Sequence, residues 1–204
     1  MAEVRLAPGG SVYYGFRSDF GPSIEVPQAS WLCSLLAGTD AELKARLGSC
    51  GGLLRRARTP DGALVAFVEH PTESWPIGLV REGVLVASAK AAPLLGGRLV
   101  ATRAGPLLLA LRRWQRGDGA WTGGELVPFA LRATQIVRLS PIPLDEVDAR
   151  DGGRVTARIV TVDYTTADVR VAGKRQEIDR ADGHVLNESV VEELYDLAAL
   201  AEER

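Results

Sequence analysis

The sequence predicts an α+β protein dominated by antiparallel β-sheet, folded as a meander, sandwich or partly open barrel, with a short helical pair near the N-terminus and a C-terminal amphipathic helix. Three patterns carry that expectation. From Leu53 onward, turn residues recur about every ten positions between apolar runs, which is the rhythm of short antiparallel strands rather than of βαβ units. Within residues 28–47 the apolar positions instead follow a helical period, and they do so again from Ser189 to the end.

Taken in order, Ser11-Val12-Tyr13-Tyr14-Gly15-Phe16 is rich in β-formers and reads as a strand. Trp31, Leu32, Leu35 and Leu36 recur at helical spacing, and Gly38 ends that helix with a left-handed cap. Thr39 and Glu42 form a capping box for a second helix, which faces Leu43 and Leu47 inward and stops at Gly48. Two β runs, residues 53–58 and 63–70, flank Thr59-Pro60-Asp61-Gly62, where proline presets the turn and glycine takes the positive φ. A second hairpin is expected at Glu82-Gly83. Further turns are expected at Gly96-Gly97, Ala104-Gly105-Pro106, Arg116-Gly117-Asp118-Gly119 and Gly123-Gly124.

Residues 1–204 read as one domain, with a candidate sub-domain break at 140–153, where Pro141 and Pro143 precede the acidic Asp145-Glu146-Val147-Asp148. Beyond it, residues 155–164 alternate as a strand, 167–171 return as its partner, and Gly173 separates a further strand ending near Ile178. The final helix is boxed by Ser189 and Glu192, and Val190, Val191, Leu194, Leu197, Ala198 and Ala201 make one apolar stripe.

Composition bounds the function classes. A chain of 204 residues that is 46% hydrophobic and 25% charged is too apolar for disorder and too interrupted for a membrane span, and at this size roughly 70% of the unfolded surface is buried. The first ten residues have neither the basic start nor the apolar core of a secretory signal, so a cytoplasmic location is expected. Cys33 and Cys50 fit neither a zinc site nor a disulfide scaffold and read as small buried hydrophobes. Only Lys44, Lys90 and Lys174 among the 24 basic residues are lysines, the codon bias of a GC-rich, bacterial genome, which weakens arginine abundance as a sign of phosphate binding. Charge is divided unevenly, +5 through Arg138 and −7 from Leu139 onward, and the scattered acids of the second half read as a solvated face.

The densest chemistry is Leu111-Arg112-Arg113-Trp114-Gln115-Arg116-Gly117-Asp118-Gly119-Ala120-Trp121. Alternation puts Leu107, Leu109, Leu111 and Arg113 on one face of a strand, with Leu108, Ala110, Arg112 and Trp114 on the other. The turn at 116–119 then brings Trp121 back within reach of Trp114. Arg112, Arg113, Trp114 and Arg116, extended by Arg55, Arg56 and Arg58, have the cations and aromatic that single-stranded nucleic acid requires. No GxxxxGK[ST] loop, HExxH pair or GxSxG elbow occurs, so the commonest nucleotide, zinc-protease and hydrolase routes are excluded. His70, at a strand end beside Glu69, is the one candidate acid/base; His184 falls in an Asp-Gly-His turn. Asp145, Asp148 and Asp151 lack the further oxygen ligands of a cation loop.

The expectation for function is therefore a non-catalytic cytoplasmic module, without cofactor, metal or membrane, that binds a protein partner or a second copy of itself. Trp121, Val191, Leu194 and Tyr195 are the candidate contact residues. Nucleic-acid binding through the Arg/Trp strands and catalysis by His70 are the alternatives.

Overall fold

The computed structural model describes residues 53–69, 74, 76–82, 84–116 and 119–202, and these are mostly antiparallel β-structure. The N-terminal strand and helical pair, Cys33, Cys50 and His70 lie outside the described residues.

The first sheet is a four-stranded meander, β1 (Leu53–Arg58), β2 (Leu64–Glu69), β3 (Pro76–Arg81) and β4 (Val84–Lys90), in chain order. Its first turn closes as the residue types demand. Thr59 N–H donates to Ala63 O at 2.8 Å, Gly62 N–H returns to Thr59 O at 2.9 Å, and Gly62 takes φ 86°. Glu82 takes the left-handed φ of 50° in the β3–β4 turn.

The second sheet runs in the order β12-β11-β10-β9-β7-β6-β5, with β8 paired to β7 off that path. Its members are β5 (Gly96–Thr102), β6 (Gly105–Arg116), β7 (Trp121–Leu131), β8 (Ile136–Arg138), β9 (Ile142–Asp148), β10 (Arg154–Tyr164), β11 (Asp168–Asp179) and β12 (Val185–Asp196). A single helix, α1 (Leu197–Glu202), ends the described chain. The proline-containing segment 142–148 is a strand between β7 and β10, in the middle of this sheet.

Alternation along β6 divides the interior into two cores. Leu108 and Ala110 join Val65, Phe67, Ile77, Leu79, Val127 and Phe129 between the two sheets. Leu107, Leu109 and Leu111 face the other way, onto Leu126, Ile142, Leu144, Val160, Val162, Val169, Val171, Val191, Leu197 and Ala201. That second set spans β6 through β12 and α1, so the large sheet curls around it. Arg98 of β5 reaches over the ring of Tyr164 at the end of β10, 5.5 Å from its centroid, and α1 packs on β5, β6, β7, β11 and β12.

Three sequence expectations are corrected. Residues 189–196 are strand, not helix: β12 forms a ladder with β11 from Asp168↔Asp196 to Ile178↔Val185, so the supposed apolar stripe is split between two faces, with Val191 buried and Val190 and Leu194 exposed. A ladder satisfies these backbone groups and buries Val191, whereas a helix of this length has little stability of its own. The helix begins only at Leu197, where the Asp196 carboxylate accepts from Ala198 N–H at 2.8 Å and Ala199 N–H at 3.0 Å; these bonds also hold the Asp196 carboxyl below its ordinary range.

The second correction concerns Gly96-Gly97 and Gly123-Gly124, expected as turns but found inside strands. A Cβ on Gly97 would lie 2.7 Å from the Phe67 ring, and one on Gly123 would lie 2.5 Å from the Trp114 ring. Third, Gly173 does not divide β11. It lies in the middle of one 12-residue strand, where a Cβ would come within 2.1 Å of Ile159 O. At Gly97, Gly123 and Gly173 the glycine answers to a close neighbour rather than to a bend.

Gly173→Ala is therefore expected to lower unfolding stability by about 1–3 kcal/mol, since backbone must move to admit the methyl group. Gly152→Ala, with open space around its Cβ direction, is the matched control and should stay within about 0.5 kcal/mol of wild type in urea unfolding.

Candidate functional site

Where β6 leaves the two cores, its leucines give way to arginines, and each needs an electrostatic partner. Arg112 stands opposite Glu125 in the β6–β7 register and forms a mostly buried ion pair with it. Arg113, on the other face, reaches Asp145 of β9 at 3.4 Å. Trp114 stands opposite Gly123, and Arg116 opposite Trp121, so the two indoles meet diagonally across the ribbon. Their centroids are 4.9 Å apart with the planes at 80°, an edge-to-face pair. The Arg116 guanidinium lies 5.4 Å from the Trp114 centroid and 4.7 Å from that of Trp121. Arg150 covers Trp121 as well, at 4.0 Å.

A β-bulge supports this cluster. Between Gly123↔Glu146 and Glu125↔Pro143 strand β9 contains one residue more than β7. The neighbouring carboxylates then serve two different partners: Asp145 faces Arg113, while Glu146 accepts from Trp121 Nε1 at 2.5 Å. Just beyond, Arg150 grips Asp148 through Nε at 2.8 Å and Nη2 at 2.5 Å. That grip, with the Arg150 backbone N–H, holds the Asp148 carboxyl down at about 2.

Asp148 and Arg150 also border an open depression of about 440 Å³, lined further by Asp151, Arg154, Thr156 and Glu177. Its charges are paired internally, Arg154 with Glu177 at 2.7 Å and Asp151 with the backbone N–H of Gly153 at 3.1 Å. Among the described residues no three His, Cys, Asp or Glu side chains gather as a metal site. No described helix is long and apolar enough to cross a membrane.

A second surface is formed by β10, β11 and β12. Directly paired residues share a face, so the rows Ile159–Lys174–Val190 and Asp163–Arg170–Leu194 lie side by side on the outside of the sheet. Val190 is 79% exposed and Leu194 69%. Salt bridges from Lys174 to Glu188 at 2.7 Å and from Arg170 to Glu192 at 2.5 Å flank them. On the inner face Arg158 forks onto both oxygens of Glu193 at 2.8 Å and donates to Leu144 O at 2.8 Å. That fork keeps the Glu193 carboxyl below its usual range. Tyr195 donates to the same carboxylate at 2.6 Å, and burial, with that bond second, pushes its hydroxyl up to about 12.

The residues singled out in the sequence thus fall in three places. Arg112, Arg113, Trp114, Arg116 and Trp121 come together in one cluster, engaged with one another and with carboxylates. Arg55, Arg56 and Arg58 are on β1, opposite Phe67, Ala66 and Leu64 in the other sheet, so the two arginine runs are not strand neighbours. Of the β12 residues, Leu194 is on the open face, Val191 is in the core and Tyr195 is half-buried. Sequence reasoning missed Glu125, a lone carboxylate in an apolar run, and the exposed Val190, Ile159, Val185 and Leu186. Val190-Val191-Glu192-Glu193-Leu194-Tyr195 runs in apolar, acidic and apolar pairs, so no local signal marked Val190 as exposed. No family model, curated protein or solved structure matches the chain.

Two measurements follow. Glu125→Ala, which leaves the Arg112 guanidinium without its carboxylate, should cost about 3–5 kcal/mol in denaturant unfolding, and the isosteric double change Arg112→Met/Glu125→Leu should recover most of it. In a carboxyl chemical-shift titration, Asp148 should have a midpoint of about 2. Arg150→Gln should return it toward about 3.9. Because the carboxyl is depressed, whatever the Asp148–Arg150 pair adds to stability is complete above about pH 4 and is lost as pH falls through about 2.

Proposed function

We propose that this protein is a non-catalytic binding or assembly module that takes a protein partner along β12 and the outer face that strand shares with β10 and β11. One observation carries the reading. Among the described residues the exposed large hydrophobics are Val84, Ile159, Val185, Leu186, Val190 and Leu194, and all but Val84 belong to β10 or β12. Apolar side chains gathered beside a twelve-residue edge strand are the features that a β-augmenting partner uses, main chain for affinity and alternate side chains for specificity.

The arginine and tryptophan cluster favours this reading over nucleic-acid binding. Phosphate would have to displace Glu125 from Arg112 and Asp145 from Arg113, and a base would have to displace Arg116 and Arg150 from the Trp121 ring. The cluster instead has the contacts of a hairpin lock. His70, the candidate acid/base, lies outside the described residues.

A photo-activatable residue placed at Val190 or Leu194 is expected to capture a protein partner, or another copy of this chain, in the producing cell, whereas the same residue at Gly152 in the β9–β10 turn is expected to capture none. Absence of adducts from both β12 positions would remove the reading.

A further inference from the structure

We propose that a phosphate group binds where the two sheets meet, held by Lys90 at the end of β4 and Arg138 at the end of β8. The site is separate from the β12 face, and neither reading depends on the other.

The strand order builds it. Strands β4 and β8 pack together across the junction of the sheets, and each ends on its cation. Arg138 stands opposite Phe129 in the β7–β8 register and so shares the face that Phe129 turns toward the small sheet. Arg112, two residues beyond Ala110 on β6, and Val127, two before Phe129 on β7, lie on that same face. The chain leaving β4 crosses here on its way to β5 and buries Leu94 in the core between the sheets. The result is a recess of about 10 Å³ bordered by Lys90, Leu94, Arg112, Val127, Phe129 and Arg138. That is room for about one water-sized atom.

Charge decides what the recess suits. Its lining has three cations and no acid. Arg112 is already paired with Glu125, its opposite residue on β7. The side chains of Lys90 and Arg138 are exposed and have no carboxylate partner among the described residues. Two positive charges are therefore left at the mouth of a recess whose wall is the buried Leu94, Val127 and Phe129. A cleft lined by one sign of charge over low-dielectric walls focuses its field and concentrates counter-ions. A phosphate group carries about −1.5 to −2 near pH 7 and offers three acceptor oxygens, so one group matches both cations. One oxygen fills the recess, and the others meet Arg138, whose planar fork suits two oxygens, and Lys90, a point charge. A carboxylate, with a single charge, leaves one cation unmet. Glu125 stays on Arg112 throughout. A nucleic-acid strand needs a track of cations and stacking aromatics, whereas this recess takes a single group.

Titration of inorganic phosphate into the full chain at constant ionic strength, followed through backbone amide shifts, tests the proposal. One saturable site is expected, with the largest shifts at Lys90, Val127, Phe129 and Arg138. Sulfate should compete for it, and acetate should bind at least about tenfold more weakly, the loss of one charge-assisted contact. Lys90→Gln/Arg138→Gln should likewise weaken phosphate binding about tenfold or more, whereas Arg175→Gln, at an exposed cation of β11, should bind as wild type does. Methyl phosphate that binds as tightly as the free ion identifies a phosphate carried by a larger molecule, and its exclusion identifies the free ion; both support the site. Absence of saturation in the wild-type chain, shifts centred elsewhere, or acetate binding as tight as phosphate overturns the proposal without recourse to any variant. Undiminished binding by the double variant overturns it as well.

Discussion

Strand β6 delivers one run of apolar side chains to two cores at once. Leu107, Leu109 and Leu111 enter the space enclosed by the curled sheet, and Leu108 and Ala110 enter the space between the sheets. Each buried leucine contributes on the order of 1.5–3 kcal/mol by leaving water. Both halves of the fold depend on this strand and on β7 beside it, whose Leu126 and Val127 divide in the same way. A polar residue at either parity would strip one core and leave the other. The continuous run Leu107-Leu108-Leu109-Ala110-Leu111 is the sequence mark of a strand covered on both faces.

The same strand explains the chemistry at its far end. Beyond Leu111 neither core continues, and arginines replace leucines while the alternation persists. Arg112 therefore inherits the face toward the small sheet and Arg113 the opposite one. Each meets a carboxylate from the neighbouring strands, Glu125 or Asp145, and Asp145 lies in the bulged stretch of β9. The cluster that looks most chemical in the sequence is in this way absorbed by folding. The less conspicuous β12 keeps Val190 and Leu194 exposed beside its ion-paired carboxylates, and it is on these side chains that the proposed partner surface rests.

Legibility followed the distance over which residues interact. The Thr59–Gly62 turn, the approach of Trp114 to Trp121 and the alternating faces of β6 were readable because their causes are local: a proline, a glycine with positive φ and a period of two. The terminal helix was misjudged because Val190, Val191, Leu194, Leu197, Ala198 and Ala201 satisfy a helical period as well as they satisfy two faces of a strand followed by one turn of helix. What separates the two is the β11 ladder, and no local pattern contains it. Gly97, Gly123 and Gly173 were open to misreading for a related reason, since a glycine demanded by Phe67, Trp114 or Ile159 looks in sequence like one demanded by a turn.

The amino-acid sequence by itself determined that this chain is mainly antiparallel β, where its tightest hairpins reverse, and which residues of β6 share a face, because sterics and side-chain alternation act within a few positions. Tertiary structure alone decided that residues 185–196 are a strand, that Arg112 and Arg113 are paired with Glu125 and Asp145, and that among the described strands β1 and β4 end one sheet and β5 and β12 the other. Those outcomes depend on which strands become adjacent, and adjacency is set by burying two cores around β6 and β7, a condition satisfied only by the chain as a whole.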